Sequence, residues 1–264
     1  MNRFVAIAVV CISMPLGCSS AAEPVIPLEI VNNFPVVGVE IGGQTVPVSF
    51  DLGGDEAIEL TAAALSRIEV RYLQERYTWM DAKGHTLEAR KFVIPELRIG
   101  SAVFRDVEGH EDAEAPDWPK IRAGQGRMGR ALFTSHRLEL DYRRKTLRLD
   151  SACAGHRVAF DPAWEGEPVS KATTDIGDLT FVWDTGAPMS FVQASLARKI
   201  DSGVAAHGSV VTKTLVLGGK DFGPLPLRAM EFVQPEGVDG FIGYDFFAKH
   251  TVCVDFPGRA FWIR

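Results

Sequence analysis

Residues 181–191 read FVWDTGAPMSF and set one carboxylate, Asp184, at the end of an apolar run. Phe181, Val182 and Trp183 read as a buried strand, and Thr185, Gly186 and Ala187 then break it. A lone carboxylate in such a place is costly, because burial disfavours its charged form. It calls for neutrality, a partner or a task. Residues 48–54, VSFDLGG, carry the same pattern: an apolar strand, then Asp51, then Leu52, Gly53 and Gly54.

The likeness extends outward in both directions. The stretch 126–149, GRMGRALFTSHRLELDYRRKTLRL, aligns without a gap on 240–263, GFIGYDFFAKHTVCVDFPGRAFWI. Gly126, Gly129, Phe133, His136 and Asp141 meet Gly240, Gly243, Phe247, His250 and Asp255. Upstream, LRIGSAVF at 97–104 matches LVLGGKDF at 215–222, each a hairpin signature around a glycine. Each copy therefore runs strand, D-x-G turn, short helix, hairpin, Gly-x-x-Gly, short helix and strand pair. Strands this short, with turn signals this dense, predict a mostly β fold built as two tandem units. The copies join in a Gly- and Pro-containing stretch at 153–168. Two copies packed about a pseudo-twofold axis would bring equivalent positions together near that axis, and Asp51 would then be the partner of Asp184.

Composition narrows the function classes. The chain has 264 residues, 46% hydrophobic and 23% charged, as expected of a globular protein. Its net charge of −6 and the lack of a basic stripe argue against nucleic acid as a partner. Residues 1–22 read as a signal peptide, with MNR followed by the apolar FVAIAVVCISM, too short to span a bilayer. Ser20, Ala21 and Ala22 suit cleavage before Glu23, while PLGC ending at Cys18 resembles a bacterial lipobox with Pro15 in the usual Leu position. Cys18 is thus a candidate lipidation site, and a lipid anchor is the one membrane link expected. The chain is expected in the periplasm or as an outer-membrane lipoprotein of a bacterium. In an exported chain Cys153 and Cys253 could form a disulfide or remain as two buried thiols.

On Asp184-Thr185-Gly186-Ala187 after its apolar strand, on Phe241-Ile242-Gly243 and on the closing Val254-Asp255-Phe256, the sequence resembles the aspartic proteases. It is similar to the retropepsin-like families and their two-lobed pepsin-like relatives, over nearly all of 27–264. The resemblance implies two acid-protease-like β-barrel lobes, at 25–152 and 157–264, related by pseudo-twofold symmetry. It implies that Asp51 and Asp184 are catalytic, that they share a proton, and that one activates a water while the other donates to the scissile carbonyl. No metal or cofactor is expected, and a monomer acting on a peptide or unfolded protein suffices. Two carboxylates about 3 Å apart cannot both ionise cheaply, so the pair retains one proton. Gly53 and Gly186 allow close backbone approach. Gly54 and Ala187 bring no hydroxyl to the acids, as in the retropepsin pattern.

The first copy departs from the family. Leu52 stands where a Thr hydroxyl would tie the two loops together, so Thr185 is expected to face an apolar neighbour and need another partner. Arg127 stands where the second copy has Phe241. The longer spacing from Asp51 to the hairpin glycine in copy one contains YTWMDAKGHTLEA, read as a flap with Tyr77 or Trp79 over substrate and Gly84 in the turn. Three readings follow: a peptidase using Asp51 and Asp184, an impaired relative that binds a peptide or protein partner in the cell envelope, and a homodimer pairing two Asp184 lobes. Gly124-Gln125-Gly126-Arg127-Met128-Gly129 fits G-x-G-x-x-G, but no βαβ context surrounds it and the repeat already accounts for its glycines. The six histidines lack metal-ligand spacing, and Asp141 and Asp255 read as turn caps.

Overall fold

The structure is a computed structural model that describes residues 25–80, 86–112, 123–163, 166–232 and 237–264. Its local pairings repeat in the two halves. In the first, strand Gln44–Asp51 runs parallel to Gly126–Gly129, which is antiparallel to Ile58–Leu60. In the second, Gly177–Trp183 runs parallel to Gly240–Ile242, which is antiparallel to Phe191–Gln193. Even single partners correspond, with Arg127 between Ser49 and Glu59 in the first half and Phe241 between Val182 and Phe191 in the second. The hairpin glycines Gly100 and Gly218 both turn at positive φ, 60° and 57°, which glycine reaches at no steric cost.

In the first lobe the strand Phe34–Ile41 pairs with Gln44–Asp51 on one side and touches Thr86–Ile99 on the other, so the sheet curls on itself. Short helices punctuate the strands. Thr61 caps Ala62–Leu65 by accepting the Ala64 N–H, and Ala194–Ile200 follows the second active loop.

Both halves contribute to a third sheet of six strands. At its middle Arg137–Asp141 pairs antiparallel with Val252–Asp255, placing Leu138 against Val254 and Leu140 against Val252. In the internal alignment Leu138 corresponds to Val252 and Leu140 to Val254, so each residue faces its partner's equivalent. That exchange is the mark of a twofold axis, which passes beside the Glu139–Cys253 pair. The expectation of a mostly β chain, folded as two lobes about a pseudo-twofold axis, is met. The apolar core runs through both lobes and this sheet. Phe50 packs edge-on against Phe133, and its counterpart Trp183 packs edge-on against Phe247 and stacks on Phe261 at 4.0 Å.

Asp141 accepts from the Arg144 N–H and Asp255 from the Gly258 N–H, both as turn caps. Asp141 also accepts the Thr251 hydroxyl at 2.9 Å, a hydrogen bond from the second lobe to the first. Cys153, in the connection between the copies, is disulfide-bonded to Cys253 in the shared sheet, closing a span of 100 residues.

A crosslink over so long a loop restricts the unfolded chain by about 4–5 kcal/mol in the loop-entropy picture. Replacing both cysteines by serine is therefore expected to lower Tm by on the order of 10 °C, read by calorimetry. Reductant should produce the same fall in the parent chain and none in the variant.

Candidate active site

Each D-x-G turn leaves the end of a buried strand and is closed by the Gly-x-x-Gly segment that follows it. The Arg130 N–H donates to the Gly54 carbonyl, and its counterpart Tyr244 N–H donates to the Ala187 carbonyl. A Cβ on Gly129 would lie 2.4 Å from the Glu56 carbonyl oxygen, and one on Gly243 would lie 2.4 Å from that of Met189. The second glycine of each motif therefore gives the loop room to fold over it.

The two turns meet in a crossed arrangement. A Cβ on Gly53 would stand 2.8 Å from the Asp184 carboxyl carbon, and a Cβ on Gly186 would stand 2.5 Å from that of Asp51. Each acid thus rests on the other loop's glycine, close enough for the charge of Asp51 to act on Asp184. Asp51 is buried, while Asp184 keeps a strip of open surface. The Asp184 carboxyl is pushed well above the usual carboxylate range, first by burial and then by the neighbouring Asp51. The Gly186 N–H donates to Asp184 Oδ1 at 2.7 Å and opposes that rise.

Thr185 is buried, and its hydroxyl lies between the loops. It donates to the Phe50 carbonyl at 2.8 Å and accepts the Leu52 N–H at 2.9 Å. Beside Leu52 the Thr185 hydroxyl finds the other partner it was expected to need: it bonds to the backbone on either side of Asp51. Leu52 itself is fully buried in the core. The tie is one-sided, because Leu52 has no hydroxyl to return it.

The first loop is also held differently around its acid. Asp51 Oδ1 accepts from the Gly54 N–H at 3.0 Å, one residue further on than the matching contact of Asp184. Asp51 Oδ2 accepts from Arg127 Nη1 at 3.0 Å. The same guanidinium places Nε 2.8 Å from Glu56 Oε1 and Nη2 2.8 Å from Glu59 Oε2. Arg130, buried, donates to the Gly53 carbonyl at 2.6 Å. Glu56 is buried, and its carboxyl is pushed up to about 7 by that burial; Asp51 and Glu59 add to the rise and Arg127 opposes it. Tyr142 lies near both acids, stacked on Phe247, and its hydroxyl is held well above the usual phenol range by burial and by those charges.

Arg127 was legible only as a departure, not as a partner of Asp51. A sharper signal was present in the repeat. Glu59 and Arg127 occupy the places of Phe191 and Phe241, and two apolar positions that become opposite charges together point to an ion pair.

Tyr77 lies in the strand Arg71–Met80, its ring stacked on His110 at 4.1 Å and its hydroxyl donating to Asp55 just beyond the first turn. The hairpin of Arg71–Met80 and Thr86–Ile99 is thereby tied to that turn. The side chain of Trp79, and Gly84 and Cys18 entirely, lie outside the described residues. Beside the second turn a cleft of about 290 Å³ is lined by Asn33 of the first lobe and by Pro188, Met189, Ser190, Arg228 and Tyr244 of the second. Asn33 Nδ2 donates to the Pro188 carbonyl and closes one side of it. Among the described residues no group of three or more His, Cys, Asp or Glu side chains is arranged to hold a metal ion, and no helix is long and apolar enough to cross a membrane.

No protein-family model and no curated protein matches the chain. Among solved structures it resembles the crystal structure of an aspartic proteinase from Irpex lacteus, with a TM-score of 0.65 and 11% identity, covering 92% of this chain and 97% of that one. The chain therefore has the two-lobed fold of the aspartic proteinases.

Two measurements check this geometry. Thr185→Val removes the hydroxyl and strands a buried N–H and a carbonyl, an expected loss of about 2–3 kcal/mol in urea unfolding. A loss under about 0.5 kcal/mol would show that the hydroxyl does not tie the loops. Glu56 binds its proton more tightly in the folded chain than its ordinary 4.5, so its contribution is full below that pH and is lost as pH rises toward about 7. Glu56→Gln is expected to remove up to roughly 3 kcal/mol of that decline, seen as a flatter plot of unfolding free energy against pH.

Proposed function

We propose that the protein is an exported aspartic endopeptidase in which Asp51 and Asp184 form the catalytic dyad. The observation that carries this reading is the crossed seating of the two acids, each against the opposite loop's glycine, which brings their charges together. Such a pair retains one proton, and the environment of Asp184 favours its acid form. Asp51 then takes a proton from water as the water oxygen attacks the peptide carbonyl carbon. Asp184 gives its proton to the carbonyl oxygen. In the second half the tetrahedral diol returns a hydroxyl proton to Asp184, Asp51 gives its proton to the leaving nitrogen, and the C–N bond breaks. The dyad ends as it began, with one proton.

We read the lobes as tandem retropepsin-like units of a bacterial chain, with 1–22 as its signal peptide and Cys18 as a lipidation site. The Cys153–Cys253 disulfide supports an oxidising compartment such as the periplasm. Tyr77, tied to Asp55, supports the reading of its hairpin as the flap. A monomer acting on a peptide or unfolded protein follows from both acids being present in one chain.

A second reading has its own support. Arg127 occupies Asp51 Oδ2 as an ion pair, and a carboxylate so engaged suits a module that binds peptide without cutting it. Mature protein incubated with an unstructured polypeptide between pH 4 and 7 separates the two. Cleavage is expected, falling about 10²–10⁴-fold in Asp184→Asn and in Asp51→Asn alike. Binding without cleavage favours the second reading. Cleavage that survives Asp184→Asn removes the catalytic assignment, and loss in Asp184→Asn alone indicates a dimer pairing two Asp184 lobes.

A further inference from the structure

We propose that Arg127 is the positioning residue that fixes Asp51 as the carboxylate of the dyad and so leaves the dyad's proton on Asp184. The proposal rests on the peptidase reading for its catalytic consequence and on the geometry of the first lobe for its cause.

The geometry is specific to one lobe. In the second lobe Phe241 lies opposite Val182 and Phe191, and with Val169 and Val238 these residues form an apolar cluster. In the first lobe the same three places hold Arg127, Ser49 and Glu59. A guanidinium offers donors in a fixed planar fork. Here Nη1 donates to Asp51 at 3.0 Å and Nη2 to Glu59 at 2.8 Å, while Nε lies 2.8 Å from Glu56 Oε1 as an ion-pair contact outside hydrogen-bond alignment. Glu59 anchors the fork, Glu56 adds its charge beside it, and the remaining arm points at the acid. Asp184 faces no equivalent cation through Phe241, and Ala187 brings it no hydroxyl.

Every charged or titratable group around Asp51 bears on this division. Arg127 faces it from Gly126–Gly129, Glu59 from Ile58–Leu60, Glu56 and Asp55 from its own loop, and Asp184 from the opposite loop. Arg130 grips the Gly53 carbonyl, Tyr142 approaches from the end of Arg137–Asp141, and Glu167 acts on Asp184. His110 lies beyond Glu59 and Tyr77. The cation that contacts Asp51 is Arg127, and the Phe241 that takes its place in the second lobe offers Asp184 none.

The test is a pH titration of ¹³C-carboxyl-labelled aspartates in the full mature chain, with the two signals assigned through Asp51→Asn and Asp184→Asn. In the parent protein Asp51 is expected to report as carboxylate and Asp184 as acid while the dyad holds one proton. In Arg127→Gln the proton should divide between the two. The acid limb of the cleavage profile should then rise by about 1–3 pH units, with kcat affected more than KM. Arg127→Lys, which keeps the charge without the fork, should recover most of that shift. If Arg127→Gln does not fold, Arg127→Phe with Glu59→Phe installs the second lobe's apolar pair and should move the proton the same way. A proton found on Asp51 in the parent protein overturns the proposal, as does an unchanged distribution in a folded variant lacking Arg127. A parent protein that cuts nothing at any pH removes the peptidase reading, and the titration then still decides what Arg127 does.

Discussion

Two carboxyls brought together on crossed loops constrain everything around them. Like charges at that distance repel strongly once water is excluded, so the pair is tolerable only with a proton between its members and with donors on its outer oxygens. Both loops must therefore be held to fractions of an ångström. The crossed glycines let each acid reach the opposite backbone, and the Thr185 hydroxyl fastens the second loop to the carbonyl and N–H that flank Asp51. Behind the loops, parallel strand pairs deliver the two aspartates from opposite sides of the axis. The shared sheet sets the distance between the lobes, through Leu138 against Val254 and Leu140 against Val252. A slip of one residue there would turn every side chain of the strand to the wrong face and separate the acids.

The lobes solve the same problem with different chemistry. The second uses apolar packing behind its loop, with Phe241 on Val182, Val169 and Val238. The first uses charge. Burying Glu56 and Glu59 would be costly alone, and Arg127 makes it tolerable by pairing with both and with Asp51. Compensation is incomplete, and Glu56 shows it: the carboxyl lies within 2.8 Å of Arg127, yet burial still pushes its pKa up to about 7. Arginines also hold the first loop directly: Arg130 grips the Gly53 carbonyl and Arg127 holds Asp51.

The duplication made most of the architecture legible. Alternating strands and twice-occurring glycines gave the order of elements, and the alignment of Asp51 with Asp184 gave the meeting of the acids. Both follow from local rules that one chain displays: glycine where a Cβ has no room, and apolar alternation where a strand faces a core. What escaped was long-range pairing between unlike residues. Leu52 looked like a broken tie because a side chain was sought where the structure uses a backbone N–H. Arg127 looked like a defect because its three partners lie at 51, 56 and 59, far away in sequence and adjacent only across parallel and antiparallel strands. The tie of Tyr77 to Asp55 is likewise invisible to spacing, since a hairpin's lean is set by packing.

A twofold scaffold faces a difficulty in running an acid–base reaction. Hydrolysis needs one group that gives a proton and one that takes it, whereas identical lobes offer two equal acids and a proton with no preference between them. Some source must break the degeneracy, whether the substrate, the water or the protein. On the proposed reading this chain breaks it in the protein, by turning an apolar wall into an ion-pair cluster behind one acid only. Restoring the first loop's Thr at position 52 would not reverse that asymmetry. The added hydroxyl would enter a fully buried apolar site while the cation stayed on Asp51. The departures of the first lobe are thus mutually dependent: Leu52 is tolerated because Thr185 bonds to backbone, Gly54 leaves room for the Glu56 carboxyl, and Arg127 is held by Glu59 and by the charge of Glu56. Residues coupled in this way do not act additively, so their roles have to be judged together rather than one departure at a time.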